Sequence, residues 1–202
     1  MKALFARLSG RHSPQPLPPE EFAQCCQEQT SSLLRLARRL TCGNEDPAQD
    51  LVQETLIRAF EAFLREGYRD QGNLKAYLMR ILTNRFLSQK RRDRWDAGVA
   101  IETLTSEQLP ARLVAEAAEC SLLSQTLDEP LERALAALPD GLRAAILLVD
   151  IEGLEYSEAA MALGIPVGTV RSRLFRARQI LHQALLPSAH TYGWLSGSEV
   201  TG

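Results

Sequence analysis

Four arginines near the C-terminal end of the chain are spaced for contact with nucleic acid. They lie between Val167 and Leu186, a segment that contains no acid. At ~100° per residue, Ser172, Phe175, Arg176 and Gln179 fall on one side of a helical wheel. Guanidinium groups can bridge guanine O6 and N7, and an apolar ring can contact a thymine methyl group. This face therefore predicts the reading of a DNA major groove.

The edges and the start of this helix add to the prediction. Arg171 and Arg178 fall on one flank of the outward face, and Arg173 falls on the other. Free backbone N–H groups near Gly168 and Thr169 are expected to suit a phosphate. The alternative is a surface helix with solvated arginines, and the agreement of turn, core pattern and charged face argues against it.

A second basic cluster lies in the middle of the chain. Six basic residues and one acid occur between Arg80 and Arg94, whereas the segment from Ile101 to Glu132 contains seven acids and one arginine. Such segregation predicts local phosphate-binding surfaces. The net charge is −2, so free DNA binding should be weak, because nonspecific affinity depends on neutralised phosphates. A second subunit is therefore expected to deliver the chain to DNA.

The other residue patterns do not favour catalysis, metal binding or membrane insertion. Four cysteines form no C-x-x-C pair, and we interpret them as thiols in a reducing compartment, with a redox or metal role as the alternative. There is no G-x-S-x-G motif, phosphate-binding glycine loop or histidine–carboxylate cluster. No apolar run approaches the ~20 residues of a membrane span. We expect a cytoplasmic protein that is not an enzyme and has no cofactor.

Helical periodicity accounts for most of the chain. Three helices are predicted before the basic cluster ends: one with Leu33, Leu36, Ala37 and Leu40 inward, one opened by Asp46-Pro47, and one starting near Leu74. Further helices are predicted around Leu131 to Leu138 and Leu142 to Val149, with Pro139-Asp140-Gly141 as a turn between them. No segment alternates with a period of two strongly enough to predict a strand.

The C-terminal segment has the layout of a helix-turn-helix. A short helix is predicted from about Ser157 to Leu163, and Gly164 permits a sharp turn. Ile165 is expected to fill the angle between the helices, and Pro166 precedes a long second helix from about Val167 to Leu185. Its inward face carries four apolar residues, namely Val170, Leu174, Ala177 and Leu181.

The run D-L-V-Q-E-T-L-I-R-A-F, from Asp50 to Phe60, has too mixed an outward face for DNA and suits a protein partner. Together with G-I-P-V-G-T-V-R-S-R-L it resembles the sigma factors of bacterial RNA polymerase, most closely the extracytoplasmic-function (ECF) subfamily. The resemblance covers roughly residues 20–95 and 130–186. It implies an all-α fold of two helical domains, a region 2 bundle and a region 4 helix-turn-helix, joined by a flexible acidic linker.

The resemblance also implies a division of the chain. Residues 1–19 would be a disordered arm, 20–95 region 2, 96–129 the linker, 130–186 region 4 and 187–202 a tail. Region 2 would dock on the beta-prime clamp helices of core RNA polymerase through Asp50, Gln53, Glu54, Ile57 and Arg58. The implied partners are core polymerase, including its beta flap, promoter DNA and an anti-sigma factor as a candidate.

The implied DNA contacts fall in two groups. In region 2, the run L-K-A-Y-L-M-R-I-L-T-N-R-F-L-S-Q-K-R-R would melt and read the minus-10 element through Tyr77, Arg80, Asn84, Arg85, Lys90, Arg91 and Arg92. The loop from Tyr68 to Asn73 would capture an unstacked base. In region 4, the minus-35 element would be read by Gly168, Thr169, Arg171, Ser172, Phe175 and Arg176.

Three positions depart from the family pattern. Tyr77-Leu78 replaces the usual Trp-Leu, which keeps a ring, and Ser88 replaces a common acid. Glu155 stands where a serine or threonine usually caps a helix, and a carboxylate still favours a helix start. The competing hypothesis is a stand-alone helix-turn-helix regulator. It would need a symmetric dimer, and residues 20–95 show no dimer seam.

Overall fold

Seven α-helices and one π-helical turn form the part of the chain that this computed structural model describes, residues 18–66, 73–96 and 129–191. No strand occurs in those ranges, which confirms the prediction of an all-helical fold. The expected arm, the acidic linker and the loop before residue 73 lie almost wholly outside the described residues. In chain order the elements are α1 (Pro19–Leu40), α2 (Glu45–Glu66), α3 (Leu74–Asp96), α4 (Glu129–Ala137), α5 (Asp140–Ile146), the π-helical turn (Leu147–Ile151), α6 (Tyr156–Leu163) and α7 (Val167–Thr191).

The first three helices form a bundle around large apolar side chains. Leu33, Leu36 and Leu40 are almost completely buried, as their spacing predicted. Phe22 is also fully buried, and its ring stacks on Phe63 with a centroid distance of 4.4 Å. Because stacked aromatic rings bury a large apolar area, this pair anchors the start of α1 to the end of α2.

The first helix is longer than the apolar repeat at Leu33 indicated. It begins at Pro19, where a missing N–H group costs nothing, and Glu20 and Glu21 lie in the first turn, where acids are favoured. It ends at Leu40, and the turn that follows contains Cys42, whose φ of 56° is unusual for a residue other than glycine.

The helix-turn-helix is present as predicted. Gly164 has a φ of 63°, which reverses the chain after α6 without a steric penalty. At the start of α6, the carboxylate of Glu158 accepts a hydrogen bond of 2.9 Å from the backbone N–H of Glu155. The start of this helix is therefore satisfied although Glu155 replaces the usual hydroxyl residue.

Three local predictions differ from the structure. Asp140 and Gly141 belong to the first turn of α5 and not to a loop, since the chain reverses at Leu138 and Pro139. The same helix, α5, continues into a π-helical turn, in which the N–H of Glu152 donates to the carbonyl of Leu147. The last helix continues to Thr191 and not Leu185, and it includes Pro187, which has no N–H group to donate a backbone hydrogen bond.

The two halves of the described chain are in direct contact. Helix α6 packs along α3, and α1 contacts both α4 and α5. An ion pair of 2.9 Å joins Arg39 of α1 to Glu132 of α4. The apolar interiors of both halves consequently merge into one buried cluster.

No helix among the described residues combines the length and the apolar character that a membrane-crossing helix requires.

Candidate DNA- and polymerase-binding surfaces

The outward face of α7 is arranged as the sequence predicted. Its inward residues Val170, Leu174, Ala177 and Leu181 are all buried. Arg171, Ser172 and Arg176 are exposed, and Phe175 is 66% exposed. On this exposed face an apolar ring thus lies beside two guanidinium groups, which are side-chain types that contact base edges in a major groove.

Two of the three flanking arginines, Arg173 and Arg178, do not contribute to this face as predicted. Arg173 is half-buried against Gly141 of α5, and burial lowers the pKa of its guanidinium. Arg178 binds both carboxylate oxygens of Asp150, at 2.7 and 2.9 Å. Both guanidinium groups therefore lie against other residues of this chain, whereas Arg171 and Arg176 are exposed and form no ion pair within the described residues.

The prediction of a free backbone N–H group at Thr169 is also wrong. Its N–H donates to the carbonyl of Pro166 at 2.9 Å, because the first turn of α7 closes directly on the proline. Gly168 is exposed, with open space around the position of a Cβ atom. A ligand can therefore approach the backbone closely at Gly168.

Helix α3 carries the second basic surface. Arg80, Lys90, Arg91 and Arg92 are exposed, whereas Tyr77 and Asn84 are half-buried. Arg91 makes a long contact of 3.4 Å with the hydroxyl of Ser88. Ser88 occupies the position where the family commonly has an acid. It carries no charge and therefore makes only a weak contact with Arg91.

Arg85 in α3 contacts Glu54 in α2, so it links the surface predicted to bind DNA with the surface predicted to bind protein. Its Nε donates to a carboxylate oxygen of Glu54 in α2 at 2.5 Å, and the other oxygen of Glu54 accepts from Arg58 at 2.9 Å. The hydrogen bond from Arg85 holds the pKa of Glu54 below its ordinary value, against the opposing effect of burial. Glu54 and Arg85 thus have a structural role between α2 and α3.

This pairing predicts a pH dependence of stability. A carboxylate with a lowered pKa in the folded state stabilises the fold above its unfolded pKa of ~4.3, and this contribution is lost as pH falls through the folded pKa. For Glu54→Gln, we expect the free energy of unfolding to fall less steeply than in the wild type between pH ~5 and ~3. Urea denaturation at several pH values measures it. Glu61→Gln, at an exposed position of the same helix, should keep the wild-type slope, and equal slopes for all three proteins would contradict the prediction.

The exposed side of α2 forms the candidate protein-binding surface. Asp50, Gln53 and Arg58 are exposed, and Ile57 is 58% exposed. Beside Ile57, a groove of about 420 Å³ runs between α1 and α2. Its lining is mainly apolar and comprises Ala23, Cys26, Gln27, Thr30, Leu56, Ile57, Phe60 and Glu61. An apolar residue of a partner helix would fit this groove.

Two of the described cysteines are neighbours in α1. Cys25 and Cys26 are both buried, and burial, followed by the neighbouring Cys25, raises the pKa of Cys26 to about 11. A thiol with such a pKa is a poor nucleophile at neutral pH. No group of three or more metal-ligating side chains occurs in the described ranges, and Cys120 lies outside them.

Comparison with known proteins gives two matching family models. The model of sigma-70 region 2 matches residues 28–96, and that of sigma-70 region 4 matches residues 128–181. The ECF RNA polymerase sigma factor SigE of Mycolicibacterium smegmatis is 40% identical over 153 residues, 75% of this chain. The alignment spans only 56% of that relative's length. The ECF RNA polymerase sigma-E factor of Escherichia coli is 35% identical over 142 residues, which cover 68% of this chain and 73% of the relative.

Two solved structures resemble this chain over most of their length. The sigma factor RpoE of Bartonella quintana, in complex with the anti-sigma factor NepR, has a TM-score of 0.63 and 31% identity, over 82% of this chain and 97% of that one. CnrH, in complex with the cytosolic domain of CnrY, has a TM-score of 0.56 and 25% identity, over 91% and 96%. With both family models matched in the expected order, the chain belongs to the sigma-70 family of RNA polymerase sigma factors, in its ECF subfamily.

Proposed function

We propose that this chain binds core RNA polymerase, directs it to a specific promoter and helps to open the duplex, without covalent chemistry of its own. The observation that carries the proposal is the outward face of α7, where Arg171, Phe175 and Arg176 are exposed on the second helix of a helix-turn-helix. Side chains of these types read base edges in the major groove. A protein with this role would act in the cytoplasm.

The minus-35 element is assigned to α7. Arg171 and Arg176 would contact bases, Ser172 and Phe175 would contact a neighbouring base or methyl group, and Gly168, beside Thr169, would approach a phosphate. The support is that the inward residues of α7 fix its orientation, while this outward set has no role in the core. Residues 130–186 form the domain proposed for this task.

The minus-10 element is assigned to α3. Arg80, Lys90, Arg91 and Arg92 would hold the DNA backbone, with Tyr77 and Asn84 nearer the bases. Arg85 is included, although its pairing with Glu54 limits its freedom. Opening the duplex costs a few kcal/mol per unstacked base, and contacts from the domain of residues 20–95 would offset that cost.

Core polymerase is assigned to the outward face of α2, with Asp50, Gln53, Glu54, Ile57 and Arg58. The support is that Ile57 is an exposed apolar side chain beside an apolar groove. The related sigma factor of Bartonella quintana is in complex with an anti-sigma factor. By analogy, we propose an anti-sigma factor as a further partner of this chain.

Polymerase binding tests the proposal. The purified chain should co-elute with core polymerase, and Ile57→Asp should weaken this binding by about tenfold or more, because a charge would replace an apolar contact in the interface. Met161→Asp is the matched control, since Met161 is also an exposed apolar residue, 60% exposed, outside the proposed sites. Glu54→Lys is a less specific test, because it also breaks the contact with Arg85. The proposal would be refuted if the chain did not bind core polymerase but bound duplex promoter DNA tightly.

A further inference from the structure

We propose that residues 1–8 of this chain lie as an amphipathic helix in the apolar groove between α1 and α2, where they compete with core polymerase. The contact itself is formed within one chain and depends only on the groove and on this segment. The competition rests on the proposed function, because Ile57 lines the groove and is also assigned to core polymerase.

The groove leaves large apolar side chains in contact with water. Ile57 in its wall is 58% exposed, and Leu64, seven residues further along the same face of α2, is 63% exposed. The groove volume of about 420 Å³ is in the range of sites that bury a whole small molecule. It can therefore receive more than one large apolar side chain of an occupant.

The segment from Met1 to Leu8 has the pattern that suits a groove of this kind. Its large apolar residues recur at i, i+3, i+4 and i+7 and therefore share one face of a helix; they are Met1, Leu4, Phe5 and Leu8. Gly10 follows, and glycine commonly ends a helix. A helix that lays such a stripe into an apolar groove is a recurring mode of peptide recognition.

The chain between this segment and α1 is long enough to place it there. Helix α1 begins at Pro19, and Ala23, the first groove residue, lies one turn later. The groove follows α1 from Ala23 to Thr30, about 10 Å at ~1.5 Å per residue, and eight helical residues span about 12 Å. Residues 9–18 reach up to ~33 Å when extended. The tether therefore holds the segment at a high effective concentration beside the groove.

The charges of the segment and of the groove edges are opposite. Residues 1–17 contain three lysines and arginines in total and no acid. On a helical wheel, Lys2 and Arg7 fall on either side of the apolar stripe. Glu61 is an exposed residue of the groove lining on α2, and Glu20 is exposed one turn before the groove on α1. Basic side chains at the edges of the stripe are thus attracted to acids at the edges of the groove, an effect that salt weakens.

Occupation of the groove lowers the apparent affinity for polymerase. When only a fraction of the molecules has an open groove, the apparent dissociation constant is raised by the inverse of that fraction. A variant that keeps the segment out of the groove should bind core polymerase about threefold to tenfold more tightly than the wild type.

Photo-crosslinking in the full chain tests the contact directly. p-Benzoylphenylalanine replaces Phe5, and the protein is irradiated without polymerase or DNA, digested and analysed by mass spectrometry. Cross-links should join position 5 to residues 23–30 or 56–61 of the same chain. The same photoreactive residue in place of Ala6, on the opposite face of the helix, should give few cross-links to these residues. Links between two chains, or links to other surfaces only, would overturn the inference.

Two double variants provide a matched comparison. Leu4→Asp with Leu8→Asp places two acids on the apolar stripe, and it should abolish the cross-links from position 5 and tighten polymerase binding. Ala3→Asp with Ala6→Asp adds the same charge to the opposite face and should leave both results close to those of the wild type. Circular dichroism should show the same unfolding transition in every variant.

The two readouts separate the inference from the proposed function. Equal effects of the two double variants, or a loss of cross-links with unchanged polymerase binding, would overturn the competition. If the cross-links change as expected and no variant binds core polymerase, the contact within the chain stands and the proposed function fails.

Discussion

Replacement of Arg176 with alanine should weaken binding of the polymerase-bound chain to its minus-35 element by about 1 to 3 kcal/mol, roughly 5- to 150-fold. A bidentate contact to a base would be lost, and preference for that base should relax. Arg176 is exposed, and no ion pair within the described residues holds it. Titration of a promoter fragment with the assembled holoenzyme at fixed salt, and again with each upstream base pair changed, measures both effects.

Arg178→Ala is the matched control for this experiment. It removes an arginine from the same helix, but one whose guanidinium is bound to Asp150. It should leave base preference at the minus-35 element unchanged. The assignment of the reading face is wrong if Arg176→Ala has no effect on a promoter with intact upstream DNA, or if both substitutions relax the preference equally.

Replacement of Phe22 with alanine should lower the free energy of unfolding by ~3 to 5 kcal/mol. Phe22 is fully buried and stacks on Phe63, so its removal leaves a cavity that the rigid ends of α1 and α2 can fill only in part. Urea denaturation followed by circular dichroism measures the change. A protein near the lower end of typical stability, about 5 kcal/mol, would keep only ~0 to 2 kcal/mol of it.

Phe175→Ala supplies the comparison for Phe22→Ala. The same side chain is removed from α7, where it is 66% exposed. The free energy of unfolding should then change by less than ~0.5 kcal/mol. A loss of similar size for both variants would show that burial of Phe22 in the bundle does not determine the effect.

Features that depend on the sequence over a few helical turns were predictable. The repeat of Val170, Leu174, Ala177 and Leu181 determines which side of α7 is buried, because an amphipathic helix turns its apolar stripe to the core. The turn at Gly164 was predictable for the same reason, since the steric freedom of glycine is a local property.

Features that depend on distant neighbours were not predictable. Arg173 and Arg176 both fall outside the apolar stripe of α7, and only the position of Gly141 shows that Arg173 is half-buried. The contact of Lys75 with Glu152 joins residues 77 positions apart. Phe22 precedes the regular apolar repeat of α1, so its place in the core depends on α2 and Phe63.

The division of the basic residues was predictable only in part. Clustering of charge located the two basic helices, because local excess of one sign creates a local field. It could not separate Arg85, which binds Glu54, from Arg80, which is exposed. The number of arginines in a segment is therefore an upper limit on the number available to DNA.

The π-helical turn limits where residues can be inserted or deleted among relatives of this protein. Asp150 within the turn binds Arg178, and Glu152 directly after it binds Lys75. Deletion of one residue between Leu147 and Ile151 would convert the wide turn to an ordinary α-helical one, and the side chains of Asp150 and Glu152 would be displaced relative to their partners. Both contacts would then be weakened together. Natural insertions and deletions should therefore be rare in these five residues and more frequent in surface connections such as the turn at Gly43.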